Sequence, residues 1–231
     1  MRVMAVVAHP DDEVIGPGGT LAKHAMAGDT VHVVILAEGT TSRAGDSNHE
    51  SSLRRSHEAT RSAAELLKFS SSTRFDLADN RLDILPLLEL AQRVEQEVAA
   101  VEPEVVFTHH PGDLNIDHEL TARVHNRVPA ARQRRQMALV LLNALGHRSG
   151  TRFEAAFVPA LYCDISSTLD VKLEAMRAYG AELRDFPHPR SLRAIEAQAR
   201  LWGASGGSPA AEGFGVIRGN YDFPPVPGGS R

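Results

Sequence analysis

Two short segments concentrate the side chains able to hold a metal or move a proton. One is His9-Pro10-Asp11-Asp12-Glu13; the other is His109-His110-Pro111-Gly112-Asp113-Leu114-Asn115-Ile116-Asp117-His118. Together they carry four histidines, five acidic residues and an asparagine. A catalytic zinc ion takes three nitrogen or oxygen ligands and keeps an open position for water. His9 and Asp12 offer two ligands from the first segment, and His118 can close the set from the second. Asp11 would then stand beside the ion, free to take a proton from a water whose pKa zinc lowers from ~15.7 towards ~7. Taken singly, the acids read equally well as solvated or capping loop residues. The Pro, the flanking His and the second His/Asp segment weigh against that plain reading.

The composition is consistent with a nitrogen–oxygen site. Eleven histidines stand against one cysteine, Cys163, so neither a disulfide scaffold nor a cysteine-cluster zinc site is available. Lys and Arg number 25 against 29 Asp and Glu, a formal charge of −4, which argues against a general nucleic-acid binder. The apolar run that opens the chain is too short for a signal-peptide core. No stretch approaches the ~20 apolar residues of a membrane span. A cytoplasmic location is therefore expected, with Cys163 a reduced, buried core thiol.

The elements that must position these residues alternate between strand and helix. Val3–Ala8 and Thr30–Ala37 read as strands buried on both faces, and Glu104–Thr108 as another. A short strand is expected around Phe75, with later ones at Ala138–Asn143 and Ala160–Ile165. The segment from His9 to Gly19 reads as a loop, after which Thr20 caps a helix over Leu21–Ala27 that Gly28 ends. Helical spacing marks Leu53–Leu67 and Leu87–Val101. Asp117 is expected to cap a helix running to about Val128, Ser167-x-x-Asp170 to form a capping box before Val171–Leu183, and Ser191 to cap a helix through Trp202. The fold class is α/β, a three-layer Rossmann-like sandwich with a mostly parallel sheet. Residues 1–218 read as one domain, and 219–231 as a Pro/Gly-rich tail, either frayed or a flap over a site or a neighbouring subunit. Both chemistry-bearing segments follow strands, at the carboxyl edge where ligands bind in open α/β sheets; they meet if their strands are neighbours.

AHPDDE after the first strand, followed later by HPGDLNIDH, resembles the LmbE/PIG-L family of metal-dependent N-deacetylases, and the resemblance extends to His188-Pro189-Arg190-Ser191. It implies hydrolysis of the acetamide of N-acetylglucosamine-type groups, one zinc ion per chain, and a homo-oligomer. It implies His9, Asp12 and His118 as ligands, Asp11 as general base, Asp117 as a carboxylate orienting the site, and Asp79 as the holder of a sugar hydroxyl. Many members of the family carry a histidine where this chain has Asn115. An asparagine amide can donate to an oxyanion but cannot deliver a proton. The proton for the leaving amine then falls to Asp11, or to His110 or His188.

Weaker signals surround these. Gly16-Pro17-Gly18-Gly19 lacks the spacing of a dinucleotide loop, and Pro17 removes a donor, so a turn for close helix packing is the better reading. Glu38 and Arg43, after the second strand, can line a substrate pocket or belong to an ordinary loop; Arg190 and His188 can wall the site or precede a cap. Arg132 to Arg135 read as an exposed basic turn. Competing functions are a metal-dependent amidase for another acyl amine, a hydrolase of another bond, and a non-catalytic sugar- or nucleotide-binding module.

Overall fold

The computed structural model describes residues 1–40, 49–127, 137–141 and 157–218. Its strands are β1 (Arg2–Val7), β2 (Thr30–Ala37), β3 (Ser71–Leu77), β4 (Val105–His109), β5 (Met137–Leu141), β6 (Leu161–Asp164) and β7 (Ala211–Arg218). They form one sheet in the order β3-β2-β1-β4-β5-β7-β6. The pairs β1/β2, β1/β4, β2/β3 and β4/β5 are parallel, and β7 runs antiparallel to both its neighbours. The fold is thus the mostly parallel α/β sandwich expected.

Alternation along β1 builds two cores. Val3, Ala5 and Val7 pack with Leu21, Ile35, Phe107 and Phe214 on one face. Met4 and Val6 pack on the other with Val94, Val98, Leu120 and Val124. Helices α4 (Leu87–Val101) and α5 (Ile116–Arg127) cover that second face. On the first lie α1 (Asp12–Ile15), α2 (Gly18–Met26), α3 (His49–Leu66), α6 (Leu169–Ala178) and α7 (Leu192–Gly206), joined through Val14, Ala63, Met176 and Ile195. The chain runs outward from β1 to β3, then returns to lay β4 on the other side of β1. That reversal between β1 and β4 puts the His9–Asp12 and His109–His118 segments side by side.

Several local expectations are corrected. The segment after His9 is not all loop, because Asp12–Ile15 make a helical turn. Thr20 lies inside α2 rather than capping it; the Glu212 carboxylate accepts from Gly19 N and Thr20 N, both at 2.8 Å, so the helix starts earlier. Asp117 is not a cap: Asn115 Oδ1 accepts from Asp117 N at 2.9 Å and His118 N at 3.3 Å, the hydrogen bonds of an N-cap. The capping box at Ser167 does not form. Thr168 precedes α6, its hydroxyl donating to Gly19 O at 2.8 Å, and the helix ends at Ala178, short of Leu183. Ser191 caps α7 as expected, accepting from Ala194 N, but the helix reaches Gly206. Strand β7 was not anticipated, since Gly213 and Gly215 dilute its β signal. Cys163 is half-buried rather than fully buried. Arg43, the Arg132–Arg135 turn and the tail 219–231 lie outside the described residues.

Candidate metal centre and acid–base site

Three ligand atoms face one another at the β1/β4 switch. His9 Nδ1 lies 3.2 Å from His118 Nε2 and 3.5 Å from Asp12 Oδ2, and His118 Nε2 lies 3.4 Å from Asp12 Oδ2. Ligands held at about 2.0–2.2 Å around a tetrahedral ion stand roughly 3.3–3.6 Å apart, so this donor set fits a zinc-sized ion. All three residues are buried.

The outward nitrogens explain how the inward ones are aimed. His118 Nδ1 is 3.0 Å from Asp113 Oδ2. His9 Nε2 is 3.1 Å from Asp117 Oδ2 and 3.0 Å from Asp79 Oδ1. A carboxylate on the outer nitrogen draws the ring proton there and leaves a bare lone pair pointing inward. Two such lone pairs at 3.2 Å repel unless a proton or a cation lies between them. Burial opposes protonation of both rings, but the surrounding carboxylates outweigh it, pushing His118 up to about 9 and His9 well above the usual range. Burial would likewise raise Asp12, yet His118 and His109 hold it well below the ordinary carboxylate range. The pocket is built to hold positive charge.

Asp11 is different. It is fully buried, and neither carboxylate oxygen accepts a hydrogen bond from the protein. Arg190 Nη1 approaches Oδ2 at 3.2 Å as a charge contact, and is itself 3.4 Å from Glu182. Burial raises the Asp11 pKa well above the usual range against the pull of Arg190, with Asp12, Glu182 and Glu13 adding to the rise. Its backbone has φ 102° and ψ −26°, a region that side-chain-bearing residues rarely adopt. A buried acid with a raised pKa beside a ligand cluster is the pattern of a proton-transfer group.

Other expected residues fall in varied places. Asn115 is half-buried; its oxygen is spent on the α5 cap, while Nδ2 reaches Asn80 Oδ1 at 3.4 Å, leaving a second N–H. Asp117 also accepts from Asn80 N and Leu82 N, so it fastens the 79–82 turn to His9. Asp79 stands against His9, which sequence reasoning did not foresee. His110 accepts from Gly112 N and sits edge-on to Phe157, its pKa lowered by burial. His188 accepts from Arg190 N. Glu38 pairs with His49 at 3.2 Å; its chain neighbours Gly39 and Thr40 help to line a cavity of about 390 Å³ with Pro10, Arg55 and Glu182.

Sequence reasoning also passed over His109, Asp113, Glu13 and Tyr179. His109 stacks on His118 with ring centroids 4.0 Å apart, and its Nε2 accepts from Ala8 N at 2.9 Å. His109 and Asp113 lie within the second segment, and the five-residue step from Asp113 to His118 was the available signal. Glu13 is raised by burial to about 7. Its partner Tyr179, distant in sequence, offered none.

The family model described as PIG-L, GlcNAc-PI de-N-acetylase, matches residues 4–128, more than half the chain. The diacetylchitobiose deacetylase of Thermococcus kodakarensis is 27% identical over 237 residues, covering 95% of this chain and 84% of the relative. Among solved structures, the N,N′-diacetylchitobiose deacetylase of Pyrococcus horikoshii superposes with a TM-score of 0.77 at 20% identity, covering 94% of this chain and 83% of its own. GalB of Pseudomonas putida, a 4-carboxy-2-hydroxymuconate hydratase, superposes at 0.72 and 21% identity, over 97% and 99%. One fold therefore carries at least two reaction types, and the scaffold alone does not name the reaction.

Proposed function

The chain belongs to the PIG-L family, and from that premise we propose that it is a zinc-dependent hydrolase removing the acetyl group from an N-acetylated amino sugar. The observation that carries this reading is the convergence of His9 Nδ1, His118 Nε2 and an Asp12 carboxylate oxygen on one buried point, beside an Asp11 that no hydrogen bond restrains. His9, Asp12 and His118 would hold one ion per chain; when bound, it supplies a Lewis acid and an acidified water.

The chain's own groups do the rest. Asp11 accepts the proton of the attacking water as its oxygen adds to the amide carbon. Its raised pKa lets it keep that proton until the C–N bond breaks, then deliver it to the departing amine. Acetate and a free amine result. The spare N–H of Asn115 is the donor this reading assigns to the charge that develops on the amide oxygen, and Arg190 steadies Asp11. His110, bound to Gly112 and Phe157, and His188, bound to Arg190, are the remaining candidate acids. Glu38, Arg43, Asp79 and Arg190 belong to this proposal as substrate-binding residues, with Asp79 and Asp117 also orienting His9. A cytoplasmic enzyme and a homo-oligomer are part of the same reading. Among the described residues no helix is long and apolar enough to cross a membrane.

The test is an acetate-release screen over free and nucleotide-linked N-acetylhexosamines. Acetate should appear, vanish with a chelator and return with zinc. Release that survives complete removal of metal overturns the metal role; no release from any N-acetylated sugar, zinc-loaded, overturns the deacetylase reading.

A further inference from the structure

We propose that Glu13 and Tyr179 are positioning residues that hold Asp11 in its reactive conformation, an inference that rests on Asp11 being the proton acceptor. The φ of 102° at Asp11 costs on the order of 1–3 kcal/mol for a residue with a side chain and persists only where its surroundings impose it. On the carbonyl side, Asp11 O accepts from Val14 N at 3.0 Å and Ile15 N at 2.8 Å, which starts α1. On the amide side, Asp11 N donates to Glu13 Oε2 at 3.1 Å. The other oxygen, Glu13 Oε1, accepts from the Tyr179 hydroxyl at 2.5 Å. Tyr179 follows directly on α6, lies 166 residues from Glu13, and is 2% exposed. One buried carboxylate thus links the backbone of Asp11 to a helix in the outer layer.

The linkage matters because the Asp11 side chain has no hydrogen bond of its own to aim it. Its direction follows from its backbone angles and the Arg190 contact alone. If the amide of Asp11 loses its acceptor, φ can relax towards the ordinary negative region, and the carboxylate is redirected from its place beside Arg190. Misplacing a reacting group by about 1 Å costs on the order of 100-fold in rate. Were Glu13 and Tyr179 merely a satisfied buried pair, their loss would lower stability and leave turnover per folded molecule unchanged.

Four variants separate these cases: Glu13→Leu, Glu13→Gln, Tyr179→Phe and Asp11→Asn. For each, kcat and KM are measured on the acetylated sugar that the wild type hydrolyses, together with bound metal, and crystal structures of the Glu13 variants report φ at Asp11. We expect Glu13→Leu to lose about 100-fold in kcat and Tyr179→Phe about 10-fold, with KM and metal content near wild type. Glu13→Gln should recover most activity, since its amide oxygen still accepts from Asp11 N and its NH₂ can meet the tyrosine oxygen. A folded Glu13→Leu with wild-type kcat, or with Asp11 still near φ 102°, overturns the proposal. If Glu13→Leu does not fold, wild-type kcat in Tyr179→Phe does the same. Asp11→Asn at wild-type rate removes the proton-acceptor reading itself; an inactive Asp11→Asn beside a fully active Glu13→Leu removes only the clamp.

Discussion

Asp11 and Glu212 are both withdrawn from water, at 0% and 1% exposure, yet the protein surrounds them in opposite ways. Glu212 accepts from Gly19 N, Thr20 N and Lys172 Nζ, and Lys172 Nζ reaches Ile15 O and Gly16 O as well. Every charge there has its partners, so the cluster ties α2, α6 and β7 together. Asp11 receives only a sidelong arginine and sits on a strained backbone. A buried charge fully met by donors serves the fold, whereas one left unmet beside a candidate metal site has the surroundings of the proton-transfer group proposed above.

The sharpest way to break this comparison is Asp11→Asn. Turnover should fall by roughly 10²–10⁴-fold, the range of general base catalysis, while bound zinc is retained. The melting temperature should hold or rise, because an uncompensated buried acid has gone. A variant that keeps its rate but melts much earlier would place Asp11 with Glu212 on the structural side.

Lys172→Met should behave in reverse. Leaving Glu212 buried without its cation costs about 3–5 kcal/mol, equivalent to a melting point lower by roughly 6–20 °C at this chain length. Turnover per folded, zinc-loaded molecule should persist. The double change Lys172→Met, Glu212→Gln, which removes the unpaired charge and keeps an acceptor for the α2 amides, should regain part of the loss. Calorimetry in which the single variant melts with the wild type would show that the pair contributes nothing.

A smaller effect, spread over pH, separates the ligand cluster from both. In the ion-free protein His118 is raised from 6.5 to about 9. Stability from its proton is fully present below about 6.5 and is lost as pH rises through about 9. Zinc needs the bare nitrogen, so the stabilisation from added zinc grows over the same interval. Melting curves with and without zinc between about pH 6 and 9.5 should converge towards acid and diverge towards alkali. An ion-free curve that climbs with pH has the wrong sign.

The ligand set was legible in sequence because its parts are local. His9 and Asp12 share one turn, His118 closes the second segment, and both follow strands whose apolar runs are plain. The β–α alternation predicts the parallel strands, while the order that sets β1 beside β4 and joins the two segments comes from the structure. What was hidden depends on distance. Asp79 meets His9 across 70 positions of chain, and Tyr179 meets Glu13 across far more. Thr20, Ser167 and Asp117 are cap-type residues displaced in two ways: distant contacts bear on the starts of α2 and α6, and a nearer residue, Asn115, caps α5 while Asp117 is drawn to other partners. Glu212 supplies α2, Gly19 engages Thr168, and Asp117 is claimed by Asn80, Leu82 and His9. Asp113 was within the quoted segment and went unassigned because a loop aspartate has many ordinary uses.

Strand β7 has a bearing on how the molecule is made. It sits inside the sheet between β5 and β6, yet of the described strands it leaves the ribosome last. Glu212 and Gly19, which it must reach, are 193 residues apart, an interval of roughly 10–40 s at 5–20 residues per second. Throughout that wait the start of α2 lacks its acceptor, and β6 has no neighbouring strand to pair with. The nascent chain must keep a slot open beside β5 until β7 arrives, so chaperone dependence should be concentrated in that window.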